Sequence, residues 1–144
     1  MKAHEPPIIV EQLFDATVEI IWKAITELDR MVLWYFENIP EFKAEVGFET
    51  QFNIHNEGRD FLHQWKITKV VPNKLFAYNW TFEKYEGEAE VSFELTKVNN
   101  QTKLALTNTI LKDFTEGIPE FTRASCIGGW EYFIQGRLKE YLKK

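Results

Sequence analysis

Thiols are nearly missing from this sequence: Cys126 is its one cysteine. It has no partner for an internal disulfide, so packing must hold the fold, and the usage fits a reducing, cytoplasmic setting. The opening residues Met1 to Pro7 lack the charged-then-apolar pattern of a signal peptide. No apolar run approaches the roughly 20 residues of a membrane span, so membrane insertion is not expected. Basic charge is short as well: 17 Lys and Arg stand against 22 Asp and Glu, a net charge of −5. Without a Lys/Arg cluster beside an amphipathic stretch, nucleic acid is not an expected partner. Metal chemistry is equally thin, because His55 and His63 lie across a predicted turn without the close-spaced ligand pairs of a zinc site. No nucleophile–base pattern, phosphate-binding glycine loop or nucleotide fingerprint can be read. No catalytic residue, metal or cofactor is therefore expected.

Aromatic rings are what the chain has in quantity. Twelve Phe, five Trp and five Tyr make up 15% of it. Each ring can bury about 150–250 Å², so the interior is either thickly packed or a cavity walled by aromatics. A length of 144 residues predicts one domain, 1–144, large enough to be stable on its own core.

The patterning is α+β. Ile8 to Phe14 is rich in β-formers and reads as a strand. Thr17 suits a helix N-cap, and Val18, Ile21, Trp22 and Ile25 recur at helical spacing over 18–26. A second short helix is predicted from about Asp29 to Trp34, ended by Glu37-Asn38-Ile39-Pro40. From about residue 42 the period changes to two. One face then carries Phe48, Phe52 and Ile54; Phe61, His63, Trp65 and Ile67; Phe76, Tyr78, Trp80 and Phe82; Ala89, Val91, Phe93 and Leu95; and Leu104, Leu106, Asn108 and Ile110. Turns at 56–59, 72–74, 85–87 and 99–101 separate these runs, as in an antiparallel meander with one buried face. The last segment, 120–143, returns to helical spacing with Ile127, Trp130, Ile134, Leu138 and Tyr141. Such a helix can cover the apolar face of the sheet. Its Gly128, Gly129 and Gly136 each cost about 1 kcal/mol in a helix, which suggests close approach to a neighbour or a kink beside a cavity.

These features resemble a known family. Phe14-Asp15-Ala16-Thr17-Val18-Glu19-Ile20-Ile21-Trp22 is similar to the opening strand, turn and first helix of the SRPBCC or START-like superfamily, with Thr17 in place of its usual proline. Trp34, the stretch Trp65 to Leu75, and Gly128-Gly129-Trp130 with Leu138 and Leu142 agree in order and rough spacing. Within that superfamily the chain resembles the domain named for the activator of the heat-shock protein 90 ATPase. The resemblance implies a helix-grip fold: a curved antiparallel sheet of about six or seven strands around a long C-terminal helix, with two short helices after strand one. It also implies two kinds of partner, a hydrophobic or lipid-like small molecule and a chaperone, for a monomer or weak dimer. Cyclases are among its relatives too, but His63 has no obvious ionisable companion here.

Strand parity and helical spacing name the cavity candidates: Phe48, Phe52, Phe61, His63, Trp65, Phe76, Tyr78, Trp80, Val91, Phe93, Leu106, Asn108, Ile127, Trp130 and Ile134. His63 and Asn108 are the polar members, and a few polar groups on an apolar wall suit either a ligand pocket or a filled, internally bonded core. Trp34, Tyr35 and Phe36, just before the proline-ended loop, are expected to form a lid or partner surface.

Overall fold

The computed structural model describes residues 1–143. Six strands form one antiparallel sheet: β1 (Ile8–Phe14), β2 (Glu49–Asn56), β3 (Arg59–Val71), β4 (Leu75–Phe82), β5 (Glu88–Val98) and β6 (Gln101–Lys112). Their order is β1-β6-β5-β4-β3-β2, so the five later strands meander and β1 closes beside β6. Turn chemistry sets the register at the β2–β3 hairpin. Glu57 and Gly58 both take positive φ, the two-residue geometry that matches strand twist, and Asn56 then pairs with Arg59. Between Ile67 and Lys69 the β3–β4 register slips by one residue, a bulge that bends the strand and adds curvature.

Two helices follow β1. The Thr17 hydroxyl caps α1 (Val18–Thr26) by accepting from the Ile20 N–H at 3.3 Å. The next helix, α2 (Leu28–Trp34), turns back on α1, and the Trp34 indole donates to the Ala24 carbonyl at 2.7 Å. The chain then runs without regular structure to Glu49, so period-two order starts later than residue 42. Phe42 and Phe48 still turn inward there and meet edge to face at 6.2 Å.

The C-terminal helix begins later than its spacing suggests. A 3₁₀ turn, Pro119–Phe121, comes first, and the Thr122 hydroxyl caps α3 (Arg123–Trp130) through the Ser125 N–H. The helix widens into π turns over Glu131–Leu138 before closing as α4 (Lys139–Leu142). Trp130, Ile134 and Leu138, spaced by four, are its buried residues and face the sheet. Gly128 and Gly129 do not serve close approach, since a Cβ at either would meet nothing within 4 Å.

Candidate functional site

The buried apolar side chains fall into two clusters. The larger joins α1, α2, the C-terminal helix and most of the sheet. The smaller holds Phe61, Ala89, Ile110, Phe114 and Phe121 at the end of the sheet that α1 and α2 do not reach. Between it and the C-terminal helix lies a cavity of about 280 Å³. Its walls are Phe61, Trp80, Phe82, Phe114, Phe121, Trp130 and Phe133, with Met1, Phe36, Ile54 and Ala89 completing the apolar lining of a space that is open on one side. Gly87 supports one wall, because φ is +129° there and a Cβ would sit 2.5 Å from the Phe114 ring.

Polar atoms at this cavity are few and incompletely bonded. Asn108 donates to the Cys126 sulfur at 3.2 Å, which leaves its Oδ1 without a partner. Trp80 Nε1 is likewise buried and unpaired. His63 Nδ1 lies 2.9 Å from the Phe61 carbonyl, and the ring is enclosed by Phe36, Phe52, Trp80 and Phe82 at 4.7–5.3 Å. Burial among these rings disfavours the imidazolium and pulls His63 down to about 4, against a weaker opposing pull from the Phe61 carbonyl. Burial also pushes the Cys126 thiol up to about 11, so it stays protonated near neutral pH. At the rim, Glu120 Oε2 accepts from Asn56 at 2.7 Å. Arg59 stands 3.6 Å from Oε1, an ion-pair distance too long for a hydrogen bond, which is why that oxygen also lacks one.

Five of the fifteen residues named from the sequence line this space: Phe61, His63, Trp80, Asn108 and Trp130. Phe48, Phe52, Trp65, Phe76, Tyr78, Val91, Phe93, Leu106, Ile127 and Ile134 pack instead in or against the larger cluster. Strand parity could not separate the two groups, because both point to the same face. Ser125, Cys126 and Gly129 were missed as lining residues although they share the helix with Trp130. Met1 and Phe114 come from segments with no periodic signal, and Phe121 stands in the 3₁₀ turn before α3, outside the spacing read over 120–143.

The expected lid or partner surface at residues 34–36 is corrected. Trp34 is fully buried and Tyr35 nearly so, while Phe36 is half-buried and adds one wall of the cavity. The indole bond to Ala24 draws Trp34 inward, and Tyr35 stacks on it at 4.8 Å. The Tyr35 and Tyr78 hydroxyls meet at 2.7 Å. Burial pushes the pKa of both phenols far above the ordinary range, so both hydroxyls stay protonated. His55 belongs elsewhere, on the outer side of the β2–β3 hairpin beside Asp60.

The family described as "Activator of Hsp90 ATPase homolog 1-like protein" matches residues 15–143. The chain belongs to that family. Solved structures share its fold. Protein CV1439 from Chromobacterium violaceum is 16% identical, with a TM-score of 0.79 over 96% of this chain and 97% of that one. The Aha1 dimer from Colwellia psychrerythraea is 26% identical, with a TM-score of 0.73 and 96% of each chain covered. DynU16, a protein of the dynemicin biosynthetic locus, is 24% identical with a TM-score of 0.76; the match takes in 97% of this chain but 48% of DynU16, about half its length. No curated protein matches the chain. Among the described residues, no helix is long and apolar enough to cross a membrane.

Proposed function

We propose that this family member binds a compact hydrophobic small molecule, most readily one built on one or two rings, between its C-terminal helix and the uncovered end of its sheet. The cavity carries the reading: about 280 Å³, walled by aromatic rings, with a few unpaired polar atoms at its edge. Ligand pockets typically measure about 300–1,000 Å³, so this one stands at the small limit, and an extended acyl chain is a poor fit. Binding needs no chemical step, and the neutral His63 and protonated Cys126 suit holding an apolar guest better than attacking it.

Gly129 provides the test. It lines the cavity and has open space where a side chain would stand. Gly129→Leu should preserve folding, because leucine is the better helix former, and should occupy the space. Calorimetric titration with one- and two-ring aromatics is expected to saturate in the wild type and to fail in Gly129→Leu, with decanoate weak in both. Absence of saturable binding in the wild type, or unchanged binding in Gly129→Leu, contradicts the reading. The family's name and the dimeric Aha1 relative support a chaperone-activating alternative, which would need a contact surface other than the buried Trp34 and Tyr35.

A further inference from the structure

We infer that the cavity selects, among small apolar rings, those that carry a neutral hydrogen-bond donor, a phenolic O–H or a heteroaryl N–H, and that Asn108 and His63 read that donor. The inference rests on the binding reading above and adds a chemical class to it. Both side chains line the cavity and both are more than nine-tenths buried, with Asn108 4% and His63 6% exposed.

Each has one polar position already committed, and the committed position decides what the other can do. Asn108 Nδ2 donates to Cys126 Sγ at 3.2 Å. One amide N–H is thus engaged, and the carbonyl Oδ1, which can only accept, has no partner. His63 Nδ1 faces the Phe61 carbonyl at 2.9 Å. A carbonyl cannot donate, so Nδ1 carries the hydrogen. In the neutral ring that burial enforces, Nε2 is then a bare lone pair. It has no hydrogen bond among the described residues.

On these two side chains the unpartnered atoms are therefore both acceptors, and both are uncharged. A guest that satisfies either one has to donate. An ammonium would satisfy them but would leave water for an aromatic-walled space whose one carboxylate, Glu120 at the rim, already faces Arg59 and Asn56, a costly transfer. A carboxylate would set lone pair against lone pair. A ring bearing a neutral O–H or N–H meets the requirement without a buried charge. A phenolic oxygen can also accept, which suits the unpaired Trp80 N–H on the same wall.

The experiment compares guests of nearly equal shape. Phenol against toluene, and indole against indene, are titrated into the full chain and followed by amide ¹H–¹⁵N shifts, with benzylamine and benzoate as charged controls. The donor-bearing member of each pair should bind about tenfold or more tightly, although its hydrocarbon partner is the more hydrophobic, because an unmet buried acceptor is the alternative. Asn108→Leu should remove most of that preference, and His63→Phe should remove part of it. Hydrocarbons binding as well as their donor partners in the wild type would overturn the inference while leaving the binding reading intact. Preference undiminished in both variants, or tighter binding of either charged control, would also overturn it. Failure of all four neutral rings to bind would take down the binding reading itself.

Discussion

One aromatic-rich sheet face is packed shut at one end and left open at the other. At the closed end α1 and α2 press on the sheet. Tyr35 stacks near-parallel on Trp34 and on Trp65, and Phe76 lies flat on Phe93 at 4.8 Å. At the open end no helix covers the sheet except the C-terminal one, and its nearby residue Gly129 has no side chain to offer. Ring content does not distinguish the ends, since Phe61, Phe82, Phe114 and Phe121 are as aromatic a set as any. Coverage does. Dense packing is stabilising wherever partner atoms exist on all sides, and a ring beside empty space forfeits contacts on that side.

The largest expected contrast is in stability. Trp65→Ala at the closed end should cost about 3–5 kcal/mol. Phe121→Ala, just as buried but with the cavity on one side, should cost less, about 2–3 kcal/mol, because its ring already forfeits contacts on that side. Urea denaturation of both variants checks this, and equal losses would erase the distinction between the ends.

His63 sits on the border between them and gives the next effect. Its folded-state value of about 4 lies below its ordinary 6.5, so the unfolded chain binds its proton first as pH falls. Stability from this group is fully present above pH 6.5 and is lost as pH drops toward 4, by about 2–3 kcal/mol at pH 4.5. His63→Gln should lose that part of the pH dependence while carboxylate effects remain. Identical pH profiles for the two proteins would show that His63 is not desolvated.

Next comes the tyrosine pair. Tyr35→Phe leaves the Tyr78 hydroxyl alone in the core and should cost about 1–3 kcal/mol. The double variant Tyr35→Phe with Tyr78→Phe should recover most of that loss in a thermal double-mutant cycle. Additive losses would mean that the two hydroxyls do not depend on each other.

The smallest effect has the opposite sign. Gly129→Ala should gain up to about 1 kcal/mol, since helix propensity improves and nothing within 4 Å opposes the new methyl. A thermal-melt decrease would mean that the helix there is closer to its neighbours than the cavity implies.

Much of this architecture is legible in the sequence. The β-strands announced themselves because alternation has one physical cause, a sheet with one buried face, and Phe76, Tyr78, Val91, Phe93 and Leu106 all obeyed it. His63 and Asn108 could be read as inward polar residues for the same reason. Parity could not tell Trp65, which is packed, from Trp80, which lines the cavity, because that depends on where α1 and α2 come to rest far along the chain. Trp34 misled because a tryptophan before a proline-ended loop looks exposed, whereas its indole finds a carbonyl one helix away. The π turns at Glu131–Leu138 gave no advance sign either, although the spacing of four from Trp130 to Leu138 suits them.

An open end that binds and a closed end that is core should respond differently to a guest. Amide ¹H–¹⁵N spectra recorded through a phenol titration test both halves at once. The account predicts saturable shifts at Phe82, Asn108 and Gly129, with Met31, Trp34 and Phe76 unmoved. Shifts that fail to saturate, or that spread equally over both ends, would contradict it.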